Sequence, residues 1–272
     1  MKQILCSTGA FLGRPNGRDY RLLEVYVPQL ACDGIEFIMY DSWYGEIDEL
    51  TGYLKKLKLN IPVLHCEKKL TEGITRGGRE ETAEAYRLFE INCRLAGEIG
   101  ARKTVIHLWN GPISDTAIDN NVRAFGDLRE IAGRYGTDLL VENVVCHLQD
   151  PMTHWCRLKE VYPDIHFIFD TKMADFHRQL DLLYAPEYRW LTEEGHIRHY
   201  HVNDYGGGYK DWNNLKVLAP GEGHIDFERF TAFVKSTGYR DTFTFEATAL
   251  DQHGTVGIER LNRQFEWAKR ML

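Results

Sequence analysis

Ile197-Arg198-His199-Tyr200-His201-Val202-Asn203-Asp204 is the stretch on which the fold of this chain turns. Read with the two-residue period of a β-strand, it places His199, His201 and Asn203 on one face, and Tyr200 and Val202 on the other. Polar groups along one face of a buried strand make sense where that face looks into a site. Three further apolar runs finish on an acid: Leu139-Leu140-Val141-Glu142, Phe167-Ile168-Phe169-Asp170 and Phe243-Thr244-Phe245-Glu246. One imidazole and three carboxylates are the makings of a divalent-metal site, provided the fold brings these four endings together.

Outward from this stretch, strand-like runs occur at residues 3–8, 34–40, 61–66, 103–109, 137–144, 165–171, 197–204 and 242–247. Helix-period segments lie between them. In residues 81–99 an apolar stripe runs through Ala85, Leu88, Phe89, Ile91, Leu95 and Ile99, and Gly100 follows it as a stop. Similar stripes cover 118–135, 226–237 and 256–272, with Asp226 placed to cap its helix. Strands alternating with helices at intervals of roughly 30 to 40 residues predict parallel βαβ units. Eight of them favour a closed (β/α)8 TIM barrel over an open sheet, and no GxGxxG follows the first strand. The expectation is one domain over residues 1–272, since no linker or low-complexity segment interrupts it.

Composition narrows the partners. A net charge of −7 gives no electrostatic footprint for nucleic acid or an anionic membrane, so neither is expected. Six scattered cysteines without a CxxC predict reduced thiols, not a disulfide framework or zinc knuckle. The brief apolar run at the N-terminus is too short for a signal-peptide core and no segment reaches membrane-span length, which makes the cytoplasm the expected compartment.

A barrel resolves the question of convergence. The C-terminal ends of its strands meet at one rim, where catalytic groups of such folds sit. Glu142, Asp170, His201 and Glu246 lie at or near the ends of strands five to eight, and His65 and His107 hold comparable positions on strands three and four. Three oxygens and one imidazole suit Mn²⁺, Mg²⁺ or Co²⁺, with Zn²⁺ also compatible. His199 is expected deeper in the barrel as a hydrogen-bonded packing group, and Glu36 on strand two as a structural acid.

The endings Val-Glu-Asn (141–143), Phe-Asp-Thr (169–171), His-Tyr-His-Val-Asn-Asp (199–204) and Phe-Glu-Ala (245–247), with Pro-Gly-Glu-Gly-His-Ile-Asp-Phe (220–227), resemble the xylose isomerase-like barrel superfamily. That group holds sugar and sugar-phosphate isomerases and epimerases, inosose dehydratases and endonuclease IV-type repair enzymes. The resemblance covers essentially the whole chain and is specific in the order and spacing of its motifs, not for one substrate. It implies metal ligation by Glu142, Asp170, His201 and Glu246, with the two glutamates facing each other as acid and base. It implies a sugar or polyol isomerase or epimerase that transfers a proton through a metal-stabilised enediolate. Self-association is common in the group, so a homo-oligomer is expected. The alternatives are an inosose-type dehydratase, an endonuclease IV-like nuclease and a non-catalytic sugar-binding barrel.

One departure stands out. Many members carry Asp-x-x-His on strand six, whereas this chain reads Asp170-Thr171-Lys172-Met173. Met173 in place of the histidine argues against a multi-zinc nuclease site, and His177 is not an automatic substitute. Lys172 reads either as a cation offered to substrate or, more simply, as a solvated rim lysine. His65, His107, Trp109 and Trp212 complete the expected substrate contacts, the two tryptophans as stacking surfaces for a sugar ring. Residues 68–79, with Lys68, Lys69, Arg76, Arg79 and several glycines, read either as a lid over an anionic ligand or as a solvated loop.

Overall fold

The computed structural model describes residues 2–272. Eight parallel strands close into a barrel in chain order. They are β1 (Gln3–Ser7), β2 (Gly34–Ile38), β3 (Val63–His65), β4 (Lys103–Ile106), β5 (Asp138–Glu142), β6 (His166–Asp170), β7 (Ile197–His201) and β8 (Thr242–Phe245). All eight lie inside the runs of alternating or continuous apolar residues named above. The barrel closes where β1 pairs with β8, Gln3 opposite Thr242 and Cys6 opposite Phe245.

Two kinds of side chain fill the lumen. Leu5, Val63, Val105, Leu140 and Ile168 form a small apolar cluster from β1, β3, β4, β5 and β6, separate from the larger core between sheet and helices. Glu36, His199 and Thr244, from β2, β7 and β8, supply a polar half, all fully buried. The mixed character of β7 follows: His199 and His201 point inward, and Tyr200 points out, stacked on Phe243 in the core. Glu36 accepts hydrogen bonds from Thr244 Oγ1 at 2.7 Å and from His199 Nε2 at 2.9 Å. His199 also meets Thr242 Oγ1 through Nδ1. Both are the buried packing groups expected of them.

Helices enclose the sheet at Ile47–Leu57, Arg79–Ile99, Ile118–Arg134, Pro151–Val161, Phe227–Ser236 and Ile258–Met271. Their apolar stripes face the strands; in Arg79–Ile99 the buried positions include Ala85, Phe89, Cys93 and Ala96. Gly100 ends that helix in the left-handed region at φ 79°. Asp226 caps Phe227–Ser236 by accepting from the Arg229 N–H at 2.9 Å. No helix among the described residues is long and apolar enough to cross a membrane. All six cysteines are unpaired.

The loop after β7 is held by Asp204, whose carboxylate accepts backbone N–H groups of Gly221, Gly223 and Ile225. A Cβ on Gly223 would sit 2.2 Å from the Tyr205 carbonyl oxygen, so the Pro220-Gly221-Glu222-Gly223 turn needs that glycine. This fixes the loop that forms one side of the barrel mouth.

Candidate metal centre

Strands β5 to β8 deliver Glu142, Asp170, His201 and Glu246 to one point at the C-terminal rim. His201 Nδ1 lies 3.3 Å from Glu142 Oε1, 3.4 Å from Glu246 Oε2 and 3.8 Å from Asp170 Oδ2. Its other nitrogen, Nε2, is 3.0 and 3.1 Å from the two oxygens of Glu36. Burial pulls the Glu36 carboxyl upward, but His201 and His199 hold it well below the usual range. An ionised carboxylate only accepts, so Nε2 carries one proton, and in its neutral form the ring would turn the Nδ1 lone pair toward three carboxylates. Once deprotonated, this imidazole nitrogen and three carboxylates are a lone-pair donor set that suits a divalent cation. In the ion-free chain burial disfavours the imidazolium, yet Glu246, Glu36 and Glu142 outweigh it and raise His201 well above its ordinary value. The ring then holds a second proton, which a bound ion would displace.

The flanking groups are individually held. Asp170 Oδ1 caps the short helix Thr171–Phe176 by accepting from the Met173 N–H at 2.9 Å, while Oδ2 accepts from Asn203 Nδ2 at 2.9 Å. Its carboxyl is pushed up to about 6 by burial and by Glu142 and Glu246, against the opposing charge of Lys172. Asn203 Nδ2 also donates to Glu246 Oε2 at 2.8 Å, and its Oδ1 accepts the Glu246 N–H at 3.2 Å. Asn203 thus ties two of the three acids together. The sequence placed it on the same face as His201 without assigning it a part in the site.

Glu142 is gripped at its second oxygen. His107 Nε2 lies 2.9 Å from Oε2 and His65 Nε2 3.3 Å from it. His65 is oriented by an Nδ1–H bond to the Cys66 carbonyl at 2.7 Å, and the two rings meet edge-on. Burial raises the Glu142 carboxyl and lowers His107; the surrounding imidazoles nevertheless hold Glu142 well below its usual value. Glu246 also ends below its usual value, because His201 and Lys68 overcome its burial. His65 and His107 reach the centre as expected, but they touch Glu142 and do not line the cavity above it.

That cavity has a volume of about 950 Å³, and Glu142, Glu246, Lys68, Lys172 and Met173 are part of its wall. Lys172 is where the sequence placed it. Met173 occupies the wall near the position of the absent histidine, and His177 does not replace it: buried elsewhere, its Nε2 accepts the Cys146 N–H at 3.0 Å. The two tryptophans are corrected. Trp109 is fully buried, donates its indole N–H to the Val144 carbonyl at 3.0 Å and packs edge-on against His154. Trp212 is 42% exposed and stacks flat on His147, 4.3 Å between centroids. Each serves a loop after β4, β5 or β7, and neither lines the cavity. In residues 68–79, Arg76 turns away to pair with Glu72, while Lys68 and Lys69 face the cavity.

A second group of ligand-type side chains, Asp115, Cys146 and His154, lies buried outside the barrel mouth. Asp115 accepts the N–H groups of His147, Leu148 and Gln149 at 2.9, 3.0 and 2.7 Å, and His154 Nε2 is 3.1 Å from its Oδ2. Every lone-pair direction of this carboxylate is engaged, so the group clamps a loop and leaves nothing to bind an ion. No local sequence pattern marks it.

Comparison with known proteins agrees with this architecture. The family described as the xylose isomerase-like TIM barrel matches residues 26–270, and the chain belongs to it. Among solved structures, 3-keto-D-glucoside 4-epimerase YcjR from E. coli superposes with a TM-score of 0.67 at 17% identity, over 99% of this chain and 100% of that one. D-psicose 3-epimerase with D-tagatose from Clostridium cellulolyticum H10 gives a TM-score of 0.72 at 13% identity, over 99% of each chain. The IOLI protein with a bound zinc atom gives 0.66 at 16% identity, over 99% of this chain and 96% of that one. At these identities the likeness is one of fold. A search of curated protein sequences finds no match.

Proposed function

We propose that this protein is a divalent-metal-dependent isomerase or epimerase of a sugar or polyol-derived ketone. One observation carries the reading: Glu142, Asp170 and Glu246 converge on the His201 nitrogen left free by Glu36. These four residues would hold the ion, which when bound supplies a Lewis acid for a carbonyl and the hydroxyl beside it. The solved structures described as sugar epimerases, and the one holding zinc, support the same class.

The chemistry of the chain's own groups follows from the two glutamates. One carboxylate takes the proton from the carbon next to the carbonyl, and the C–H electron pair moves toward the carbonyl oxygen. For epimerisation the partner must enter the step in its protonated form and gives that proton to the opposite face of the same carbon; for isomerisation the carboxylate that took the proton returns it to the neighbouring carbon, while the proton of the adjacent hydroxyl passes to the former carbonyl oxygen. Asn203 fixes Glu246 by donating its amide N–H, and the His65 and His107 rings pack against the second oxygen of Glu142, so neither acid is free to swing with the substrate. Glu142 is buried and the Glu246 side chain is only 9% exposed, which limits the bulk water that competes for the proton.

Deuterium exchange tests this reading directly. The Mn²⁺-loaded chain, incubated in D₂O with a panel of ketoses, should incorporate deuterium beside the carbonyl of at least one of them. Glu246→Gln should lower that exchange by about 10²- to 10⁴-fold. Wild-type exchange in the glutamine variant would overturn the acid–base assignment.

A further inference from the structure

The polar half of the lumen continues below Glu36 to the floor of the barrel. Lys103, the first residue of β4, is 8% exposed and reaches across the N-terminal end of the barrel to β7 and β8. Its Nζ lies 2.6 Å from the Arg198 carbonyl, 2.9 Å from Thr242 Oγ1 and 2.6 Å from Asp241 Oδ1. Burial pulls the ammonium toward neutrality, and the Asp241 carboxylate opposes that pull. Paired in this way, Lys103 offers three N–H groups to three acceptors. An ammonium has no lone pair, so it can only donate.

The direction of each hydrogen bond above Lys103 then follows. Thr242 Oγ1 accepts from the lysine and has one other partner among the described residues, His199 Nδ1. Thr242 is buried, so its hydroxyl hydrogen must go to that nitrogen or be left without an acceptor. His199 Nδ1 is therefore the acceptor, and the ring proton sits on Nε2, 2.9 Å from Glu36 Oε2 and 3.0 Å from Thr244 Oγ1. The ionised Glu36 demands the same placement, because a carboxylate only accepts. It then receives His201 Nε2–H as well, at 3.0 and 3.1 Å. Lys103, Thr242, His199, Glu36 and His201, from β4, β8, β7 and β2, thus form one ordered chain from floor to rim.

We propose that Lys103 is a positioning residue for the metal centre: from the opposite end of the barrel it fixes the hydrogen-bond polarity that turns the His201 Nδ1 lone pair toward an ion. The effect on the ion rests on the metal-centre reading, whereas the place of the His199 proton does not. Without the ammonium, the Arg198 carbonyl loses its donor, and the Thr242 hydroxyl, held around the same Nζ, is free to turn to it. Oγ1 would then present a lone pair to His199 Nδ1 and favour a proton there. The Nε2 lone pair would face the Glu36 carboxylate, two acceptors with no hydrogen between them. Glu36 would shift from that repulsion, and the hold on the His201 ring would loosen.

The test reads the proton and the ion separately on the full chain. Long-range proton–nitrogen NMR correlations of isotope-labelled histidines tell the two tautomers apart, and the His199 signals are those lost in His199→Gln. Wild type should carry the His199 proton on Nε2, with and without Zn²⁺. Lys103→Met should move part of the His199 population to the Nδ1–H form and weaken Zn²⁺ binding about tenfold, read by competition with a chelator. Lys103→Gln, whose amide accepts as well as donates, should do the same to a smaller degree. Lys103→Arg, which only donates, and Thr242→Ser, which keeps the hydroxyl, should retain both wild-type readings; a purely structural floor would not sort the variants by donor character. A wild-type His199 protonated on Nδ1 would overturn the proposal, even if no Lys103 variant folds. So would folded Lys103→Met or Lys103→Gln with the wild-type His199 signal or the wild-type Zn²⁺ affinity. A wild type that binds no Zn²⁺, with His199 responding to Lys103 as described, would remove the metal reading and with it the positioning role, and leave only the polarity standing. Zn²⁺ bound at the centre with His199 indifferent to Lys103 would overturn the proposal and leave the metal reading intact.

Discussion

Asp115 and Asp170 are both buried aspartates with a histidine nearby, and by composition their surroundings look alike. Their oxygens are used differently. Asp115 receives three backbone N–H groups besides His154, and these overcome its burial and hold its carboxyl well below the usual range. Asp170 receives one backbone N–H and one amide N–H, faces two other carboxylates, and is pushed up to about 6. The first is a finished hydrogen-bond cluster; the second lacks a positive charge. Counting hydrogens on the donors, not ligand-type residues, is what separates a loop clamp from an ion site.

The sharpest way to break this distinction is metal content. Chain purified without chelator should carry about one divalent ion, and Glu142→Ala/His201→Ala should carry none, as expected when two of four ligands are lost. Asp115→Ala should keep its ion. It should instead lose about 3 kcal/mol of stability in denaturant unfolding, because backbone donors and His154 are left buried without an acceptor. Loss of the ion in the Asp115 variant, with the fold intact, would put a ligand where we place a clamp.

Proton release sharpens the comparison further. His201 is raised well above its ordinary value in the ion-free chain, chiefly by Glu246, Glu36 and Glu142 acting against burial. Asp170 is raised to about 6, and its native form therefore holds a proton that an unfolded Asp would have lost. Ion binding requires both groups deprotonated. Loading should release a proton from His201, and a further one from Asp170 as the pH falls through about 6. Affinity then falls with acid, most steeply below about pH 6. The sign for stability is opposite: with its folded value raised, Asp170 makes the ion-free chain less stable as pH rises through that window, and ion binding offsets this. Calorimetry in buffers of different ionisation enthalpy counts the protons; a count that does not rise toward acid would remove Asp170 from the site, and a count near zero throughout would show that neither group titrates with loading.

The strands and the four proposed ligands were legible because both follow from periodicity. A two-residue alternation puts His199, His201 and Asn203 inward, and barrel closure makes strand ends neighbours whatever their distance along the chain. Helix limits were nearly as clear: the helix expected at 81–99 starts at Arg79, where Gly78 is the last extended residue. The helix Pro151–Val161 was passed over although Asp150 caps it, accepting from the Thr153 N–H at 2.8 Å. What stayed hidden depends on contacts between loops. Asp115 grips backbone from the loop after β5, and a backbone N–H can belong to any residue, so no sequence signature exists. Trp109 was misread for the same reason. An aromatic just past a strand end can turn into the cavity or across to the next loop, and the Val144 carbonyl that decides the matter has no side-chain identity.

Trp212 offers the smallest effect and the finest cut between the two regions. Its ring stacks on His147, part of the loop that Asp115 clamps, and meets Phe176 edge-on at 4.9 Å. It belongs to the clamp's side of the mouth and contributes to binding only if the loop closes over substrate. Stacking on a half-exposed face is worth about 0.5 to 1.5 kcal/mol, so Trp212→Ala should cost about 1 kcal/mol of stability. KM for the best substrate should move less than about twofold, since the energy is already spent within the loop pair and not on the ligand. A tenfold rise in KM at unchanged stability would reverse the assignment. The ring would then leave His147 when substrate binds, and the loop after β7 would act as a lid over the metal centre.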